Sequence, residues 1–287
     1  MTLRLKDFGR ERKTILRHKK LSFALCAALV FAALLIYAAA AFGATKIAGA
    51  GSTNRMLKGI PQQGIELGKP DAPVTMVEIV EPQCPFCAQW ARNELPGVIS
   101  RYIRAGKIRI EYRGLSFIGP DSDGLLTLAE AAGEQNKLWN VVELEYANQG
   151  AEDSGYATHA FLQAVAEAVP GLDVTKAFAQ ASSSKVTAQI QQAKALSQQY
   201  GINKTPSLLI GKSGDEQNLT VMANTSGQGL YDSIDAALAG NPVPAKSSGL
   251  PAWAIVLLIA AGTVALSVAI SVAVRLSRRS PAPPAAG

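Results

Sequence analysis

The stretch that most limits the fold of this chain runs from Val74 to Cys87. Val74-Thr75-Met76-Val77-Glu78-Ile79-Val80 is apolar on both faces, the pattern of a strand buried in the middle of a sheet, and it leads into Cys84-Pro85-Phe86-Cys87. A helix is expected from Cys84 to about Ala105, kinked at Pro96, followed by a strand over Lys107–Arg113 whose Ile108, Ile110 and Tyr112 share one face. Strand, helix and strand form a βαβ unit, which places the body in an α/β class.

Downstream, Gly124 to Tyr200 reads as mostly helical. Phe161, Leu162, Val165 and Val169 form one apolar stripe; Val186, Ile190, Ala193, Leu196 and Tyr200 form another, stopped by Gly201. Strands resume at Ser207–Ile210 and Leu219–Met222, joined by the turn-like Gly211-Lys212-Ser213-Gly214, and a last helix is expected from about Leu230 to Leu238. The order is βαβ, a helical block, then ββα.

Two uncharged hydrophobic runs bracket this body, 24 residues from Leu21 to Ala44 and 22 from Trp253 to Val274. Each reaches the ~20 residues that a helix needs to cross the hydrocarbon of a bilayer. Their flanks are basic. The first 20 residues hold Arg4, Lys6, Arg10, Arg12, Lys13, Arg17, Lys19 and Lys20 against Asp7 and Glu11, and the last 13 hold Arg275, Arg278 and Arg279 with no acid. The net charge of +6 over 287 residues therefore resides in the tails, and the residues between them are slightly acidic. A nucleic-acid-binding body is not supported. By the positive-inside rule both tails are cytoplasmic and the segment between the spans is extracytoplasmic. A cleavable signal peptide competes for the first run, with Ala41 and Gly43 as small residues before Ala44, but the run is longer than a signal core.

The expected organisation is a basic cytoplasmic tail (1–20), a transmembrane helix or signal anchor (21–44), a linker rich in small residues (45–64) and a folded domain (65–240). A Pro/Ser linker (241–252), a second transmembrane helix (253–274) and a basic, Pro-rich cytoplasmic tail (275–287) follow.

Chemistry is concentrated at Cys84 and Cys87. A cysteine pair at a strand-to-helix junction suits a redox dithiol, because the N–H groups of the helix start stabilise a thiolate and one turn brings the second sulfur within disulfide range. A zinc half-site would need two further ligands. The other cysteine, Cys26, lies in a hydrophobic run, and the histidines are His18 in the basic tail and His159 in the helical block, so Cys and His cannot assemble a four-ligand site. A purely structural disulfide would close an unusually small loop.

Three segments carry a family resemblance. They are Gly68-Lys69-Pro70-Asp71-Ala72-Pro73 running through Val80 into Cys84-Pro85-Phe86-Cys87, then Gly106-Lys107-Ile108-Arg109-Ile110-Glu111-Tyr112-Arg113, then Gly201-Ile202-Asn203-Lys204-Thr205-Pro206-Ser207. In this order they resemble the DsbA-like branch of the thioredoxin superfamily over roughly Gly64 to Gly240. The resemblance implies a thioredoxin fold with a helical insertion, flanked here by two transmembrane helices. It further implies a Cys84–Cys87 redox disulfide, with Cys84 the exposed nucleophile and Cys87 the shielded partner. Pro206 matches the family's cis-proline, so that Pro85, Phe86, Thr205 and Pro206 would contact an extended substrate.

Glu78 sits six residues before Cys84 on an otherwise apolar strand. One reading is a proton relay to Cys87, which the resemblance also implies; the other is a structural ion pair with Lys107, Arg109 or Arg113. Trp90 and Trp139 read as packing residues and His159 as a surface residue. Asn218-Leu219-Thr220 and Asn224-Thr225-Ser226 match the glycosylation pattern, which matters only in a host that glycosylates.

The expected activity is a thiol:disulfide oxidoreductase without cofactor or metal, acting as a dithiol oxidase on unfolded or reduced exported proteins and recharged by an integral-membrane redox partner or a small oxidant. A reductase or isomerase on the same fold, for example in cytochrome c maturation, is the closest alternative. A tethered binding module or chaperone is the alternative from another class.

Overall fold

The computed structural model describes residues 46–246. Both expected transmembrane runs and both basic tails lie outside the described residues; among the described residues no helix is long and apolar enough to cross a membrane.

The chain opens with α1 (Ala50–Leu57), then short strands β1 (Gln62–Gln63) and β2 (Glu66–Leu67), and the central strand β3 (Val74–Val80). Helices α2 (Pro85–Asn93) and α3 (Leu95–Val98) follow, then a π-helical turn over Ile99–Ile103 and strand β4 (Ile108–Gly114). The helical block comprises α4 (Pro120–Gly133), α5 (Leu138–Ala147), α6 (His159–Glu167), α7 (Val174–Gln180) and α8 (Ser184–Gln199). Strands β5 (Ser207–Lys212) and β6 (Thr220–Val221) and helix α9 (Gly227–Leu238) complete the fold.

The sheet order is β1-β2-β4-β3-β5-β6, with β3 and β4 parallel and the other pairs antiparallel. Every residue of β3 is buried, as its double-sided apolarity requires of a strand covered on both faces. Val74, Met76 and Val80 join Ile108, Ile110 and Tyr112 in the main core, together with apolar residues of α2, α4, α5 and α9. Val77 and Ile79 face the other way, into a smaller cluster with Leu196 of α8 and Leu209 and Leu219. Trp139 is fully buried, donates to the Ile65 carbonyl (3.0 Å) and meets Tyr112 edge-on; the Trp90 indole donates to the Thr225 carbonyl (2.8 Å). Both tryptophans thus pack as expected. Gly201, with φ of +58°, follows the α8 cap residue Tyr200 in the left-handed conformation that ends a helix.

Three sequence expectations are corrected. The segment 45–64 is not a plain linker: it contains α1 and β1, with Thr53 and Leu57 buried, and Ala48 is held by a reciprocal pair of hydrogen bonds to the Asn148 side chain (2.8 and 3.0 Å). The domain also continues past 240. Ala245 bridges Met222, and the Lys246 N–H donates to the Val221 carbonyl (2.9 Å), so the chain after α9 returns to the sheet edge. Finally, the helix after the cysteines does not run unbroken to Ala105. It breaks at Glu94, two residues before Pro96, and resumes as α3 and the π-turn, because Pro96 has no N–H to continue the ladder and sits in the first turn of a new helix.

Candidate redox site

The cysteine pair sits where β3 ends and α2 begins. Cys84 is the N-cap of α2, and Pro85 takes the next position, where a missing N–H costs no helical bond. The N–H groups of Cys87 and Ala88 donate to the Cys84 carbonyl (3.1 and 3.2 Å), which fixes the two cysteines one turn apart. Both are free thiols. Cys87 is fully buried in the main core, whereas Cys84 retains 6% exposure. The expectation of an exposed Cys84 is therefore corrected: it is the more accessible sulfur but is largely covered, and the outward part of the motif is Pro85 and Phe86, the latter 66% exposed.

Part of the cover is the Thr205–Pro206 loop at the entry to β5. Its peptide bond is cis, and the Thr205 carbonyl lies 3.5 Å from the Cys84 sulfur. Beside it opens a cavity of about 560 Å³ lined by Phe86, Trp90, Glu94, Lys204, Thr205 and Pro206. The four residues assigned to substrate contact by resemblance thus meet around Cys84, although they come from places some 120 residues apart.

The electrostatics of the two thiols diverge. A hydrogen bond from the Cys87 thiol is the largest influence on Cys84; with Thr205 and the N–H groups of Cys87 and Phe86 it outweighs burial and brings the Cys84 pKa down to about 5. Burial pushes the Cys87 thiol far up, and the neighbouring Cys84 charge pushes it further. At neutral pH these shifts favour a negative charge on the outer sulfur and a proton on the inner one.

Glu78 projects from β3 into the main core. Parallel pairing aligns it with Tyr112, while Thr75, Val77 and Ile79 align with Arg109, Glu111 and Arg113. Alternation of side chains therefore puts Arg109 and Arg113 on the opposite face of the sheet from Glu78. No cation forms an ion pair with Glu78 among the described residues. Burial holds its carboxyl well above the ordinary range and Glu143 adds to the effect, so the site favours the protonated form of Glu78.

Several residues around the dithiol escape sequence reasoning. Glu81 is fully buried; its carboxylate accepts from the Gln83 N–H (2.6 Å) and from the Ser122 hydroxyl. The Gln83 amide donates to Ser122 (2.8 Å) and accepts from the Asp153 N–H (2.7 Å). Gln149 donates to the Pro82 and Cys84 carbonyls (2.9 and 3.2 Å), and the Tyr146 hydroxyl donates to the Glu81 carbonyl (3.3 Å). Glu81 stands three residues before Cys84 and is visible as a polar interruption in the sequence, but Ser122, Tyr146, Gln149 and Asp153 come from the helical block and its loops, with no local motif to mark them. Among the described residues no group of His, Cys, Asp and Glu is placed to hold a metal ion. His159 is an exposed residue whose ring lies 4.9 Å from that of Phe178 at a tilt of 57°, and Asn218 and Asn224 are exposed.

Two sulfurs one turn apart, with acidities driven in opposite directions, are suited to exchanging a disulfide with another thiol pair. Residues 61–223 match the family model described as Thioredoxin. The chain is 30% identical over 147 residues to the probable disulfide bond formation protein D of Bacillus cereus, spanning 50% of this chain and 68% of the relative. It is 29% identical over 179 residues to the protein of the same description from Bacillus anthracis, spanning 60% and 77%. Among solved structures, oxidised BdbD from Bacillus subtilis superimposes with a TM-score of 0.54 at 21% identity, over 63% of this chain and 98% of that one. Wolbachia pipientis α-DsbA1 gives 0.52 at 19% identity, over 66% and 96%. The chain belongs to the thioredoxin family and is, within it, a DsbA-like thiol:disulfide oxidoreductase.

Proposed function

We propose that the protein is a membrane-anchored, extracytoplasmic dithiol oxidase that introduces disulfides into reduced exported proteins through Cys84 and Cys87. The observation that carries this direction is the split between the two thiols. A Cys84 pKa of about 5 stabilises the reduced enzyme at neutral pH, and each unit of lowering is worth about 1.4 kcal/mol, or roughly 30 mV, in favour of taking electrons from substrate. Anchoring and orientation rest on the hydrophobic runs 21–44 and 253–274 and on the basic tails outside them.

In the oxidised enzyme a substrate thiolate, held as an extended strand along Thr205 and Pro206, attacks the Cys84 sulfur. The Cys84–Cys87 bond breaks, its electron pair stays on Cys87, and Glu78 delivers the proton that this buried thiolate requires and regains one from solvent. A second substrate thiolate attacks the substrate sulfur of the mixed disulfide, and Cys84 leaves as a thiolate. An integral-membrane partner then reoxidises the pair, and the second span is its docking element. Exchanging that span for an unrelated one should slow reoxidation in membranes without changing the potential of the isolated domain.

Equilibration with glutathione redox buffers tests the direction. An oxidising potential, well above the thioredoxin value of about −270 mV, is expected, and a value near that figure sinks the oxidase reading. Cys84→Ser should abolish turnover, while Cys87→Ser should accumulate mixed disulfides with substrate. Full activity in Cys84→Ser would overturn the reading altogether.

A further inference from the structure

A second cavity, of about 290 Å³, opens between the end of α1, strand β1 and the start of α5, and nothing in the reaction above uses it. Its polar lining is Asn54, Lys58, Gln62, Asn136, Lys137 and Asn140, with no carboxylate among the residues around it. The three asparagines have their oxygens turned to protein donors. Asn54 accepts from the Asn140 amide (3.1 Å), Asn140 accepts from the Gln62 amide (2.8 Å), and Asn136 accepts from the Gly64 N–H (3.0 Å). Asn136 has φ of +58°, the left-handed conformation that asparagine tolerates better than most residues, in the short turn between α4 and α5.

With those oxygens occupied, Asn54 and Asn136 have amide N–H bonds left to offer, and neither amide donates to a protein acceptor among the described residues. Two ammonium groups add to them. Lys58 is the C-cap of α1 and Lys137 the N-cap of α5, and neither forms an ion pair among the described residues. The acid nearest Lys137 in sequence, Glu134, pairs with Lys185 instead. The Lys137 ammonium lies 3.8 Å from where a Cβ on Gly171 would stand, next to Pro170 in the cavity wall. Arg104 donates to the Met56 and Lys58 carbonyls (2.6 and 3.1 Å), which fixes the end of α1 and brings a third positive charge to it. The start of α5 has no side-chain cap, so the free N–H groups of its first turn raise the potential further. The acceptor left over, Gln62 Oε1, is enclosed in the wall without a partner, and its partial charge is small beside two whole ones.

We propose that this cavity is an anion site whose ligand is a phosphate group on a short ester arm. Lysine binds phosphate as a point charge and lacks the planar fork that suits a carboxylate. Donors converging from α1, α5 and the turn before α5 fit a tetrahedral oxyanion. The volume is at the low end of the roughly 300–1,000 Å³ of small-molecule sites, which suits a headgroup-sized ligand. Two sources carry that chemistry, a soluble phosphate ester and the headgroup of an anionic phospholipid, and placement favours the lipid. Helix α1 starts at Ala50, six residues after the first hydrophobic run ends at Ala44, and a fully extended stretch of that length spans at most about 20 Å. Residues 46–65 carry Lys46, Arg55 and Lys58 and no acid. A bound headgroup would hold the α1 side of the domain against the bilayer. The assignment is independent of the reading of Cys84 and Cys87.

The test is side-chain amide NMR of the full-length protein, isotope-labelled at asparagine, in maltoside micelles titrated with glycerol phosphate at constant ionic strength. The Asn54 and Asn136 signals should move saturably, and Lys58→Met and Lys137→Met should each weaken binding by about tenfold. Lys194→Met removes the same charge from an exposed site on α8 that does not line the cavity, and should leave the affinity unchanged. Asn54→Asp keeps the oxygen that Asn140 needs and puts a negative charge in the cavity, so it should abolish binding. Nanodiscs separate the two sources. If lipid fills the site, the signals are already displaced in phosphatidylglycerol discs relative to micelles, and glycerol phosphate moves them no further; if a soluble ester fills it, they move only on its addition. Signals that move under neither condition, that move as far in Asn54→Asp, or that lose as much affinity in Lys194→Met as in Lys58→Met, overturn the anion site.

Discussion

The two faces of the β3–β4 pair bury acids in opposite ways. On the α8 side, Glu111 is buried against cations: Arg113 lies 3.0 Å from one of its oxygens and Arg109 3.7 Å from the other, and the arginines reach on to Glu216 (3.5 Å) and Glu66 (3.7 Å). On the dithiol side, Glu78 from the sheet and Glu143 and Glu145 from α5 are buried with no ion pair, and burial holds all three carboxyls above the ordinary range. A single strand register keeps the two populations apart. The charged face is a structural solution, in which ion pairs offset part of the desolvation that still raises the Glu111 carboxyl. On the other face burial, with no cation to offset it, favours the protonated form of the acids beside the dithiol.

Removing a cation from the charged face should give the largest effect. Arg113→Ala leaves Glu111 buried with only the longer Arg109 contact and strands its charge. A loss of about 3–5 kcal/mol is expected in urea unfolding at pH 7. A loss under about 1 kcal/mol would mean that the two faces do not differ in kind.

Glu145 offers the converse experiment. One of its carboxyl oxygens is buried without a hydrogen-bond partner, and burial holds the group well above the ordinary range. Glu145→Met keeps the volume and removes the orphaned polar atom, so a gain of about 1–3 kcal/mol is expected at pH 7. A loss of that size would show that the carboxyl carries a favourable interaction after all.

The same contrast predicts an acid-shifted stability optimum. Burial raises Glu130 to about 7 and Glu143 to about 8, with Arg113 and Arg92 respectively opposing the rise. A raised folded-state pKa means that the unfolded chain releases its proton first. The stabilisation from these groups is therefore complete below the ordinary carboxylate range and is lost as pH rises toward 7 and 8. Each group contributes a slope of at most about 1.4 kcal/mol per pH unit. Urea midpoints of the oxidised protein at pH 5, 6, 7 and 8 should fall steadily, and Glu143→Gln should flatten the decline. Rising midpoints over that range would mean that the acids are ionised and paired.

How much of this could be read from the sequence depends on whether the signal is local. β3, the Cys84–Cys87 spacing and Thr205-Pro206 were legible because a short run of residues carries each. Helix α1 was not, since Gly, Ser and Thr at 51–53 look like linker, and its order comes from distant groups: Asn148 on Ala48, and Arg104 on the carbonyls of Met56 and Lys58 (2.6 and 3.1 Å). The return of the chain after α9 rests likewise on pairing with β6, which Pro242, Pro244 and the serines after Lys246 conceal. The choice between relay and ion pair for Glu78 could not be made from spacing, because it depends on which β4 residue stands opposite. Alignment with Tyr112 decides against the arginines.

Glu78→Gln should have the smallest effect on stability and so gives the sharpest test of the dithiol face. A protonated carboxyl and an amide have the same shape and no charge. At pH 6–7 the substitution should therefore change stability by less than about 1 kcal/mol, against the several expected for Arg113→Ala. The amide cannot exchange a proton with Cys87, so the rate at which substrate thiol opens the Cys84–Cys87 disulfide should fall and lose part of its pH dependence, as read by stopped-flow tryptophan fluorescence. A stability loss comparable to that of Arg113→Ala would show Glu78 to be charged and paired, and the two faces of the sheet would then follow one rule.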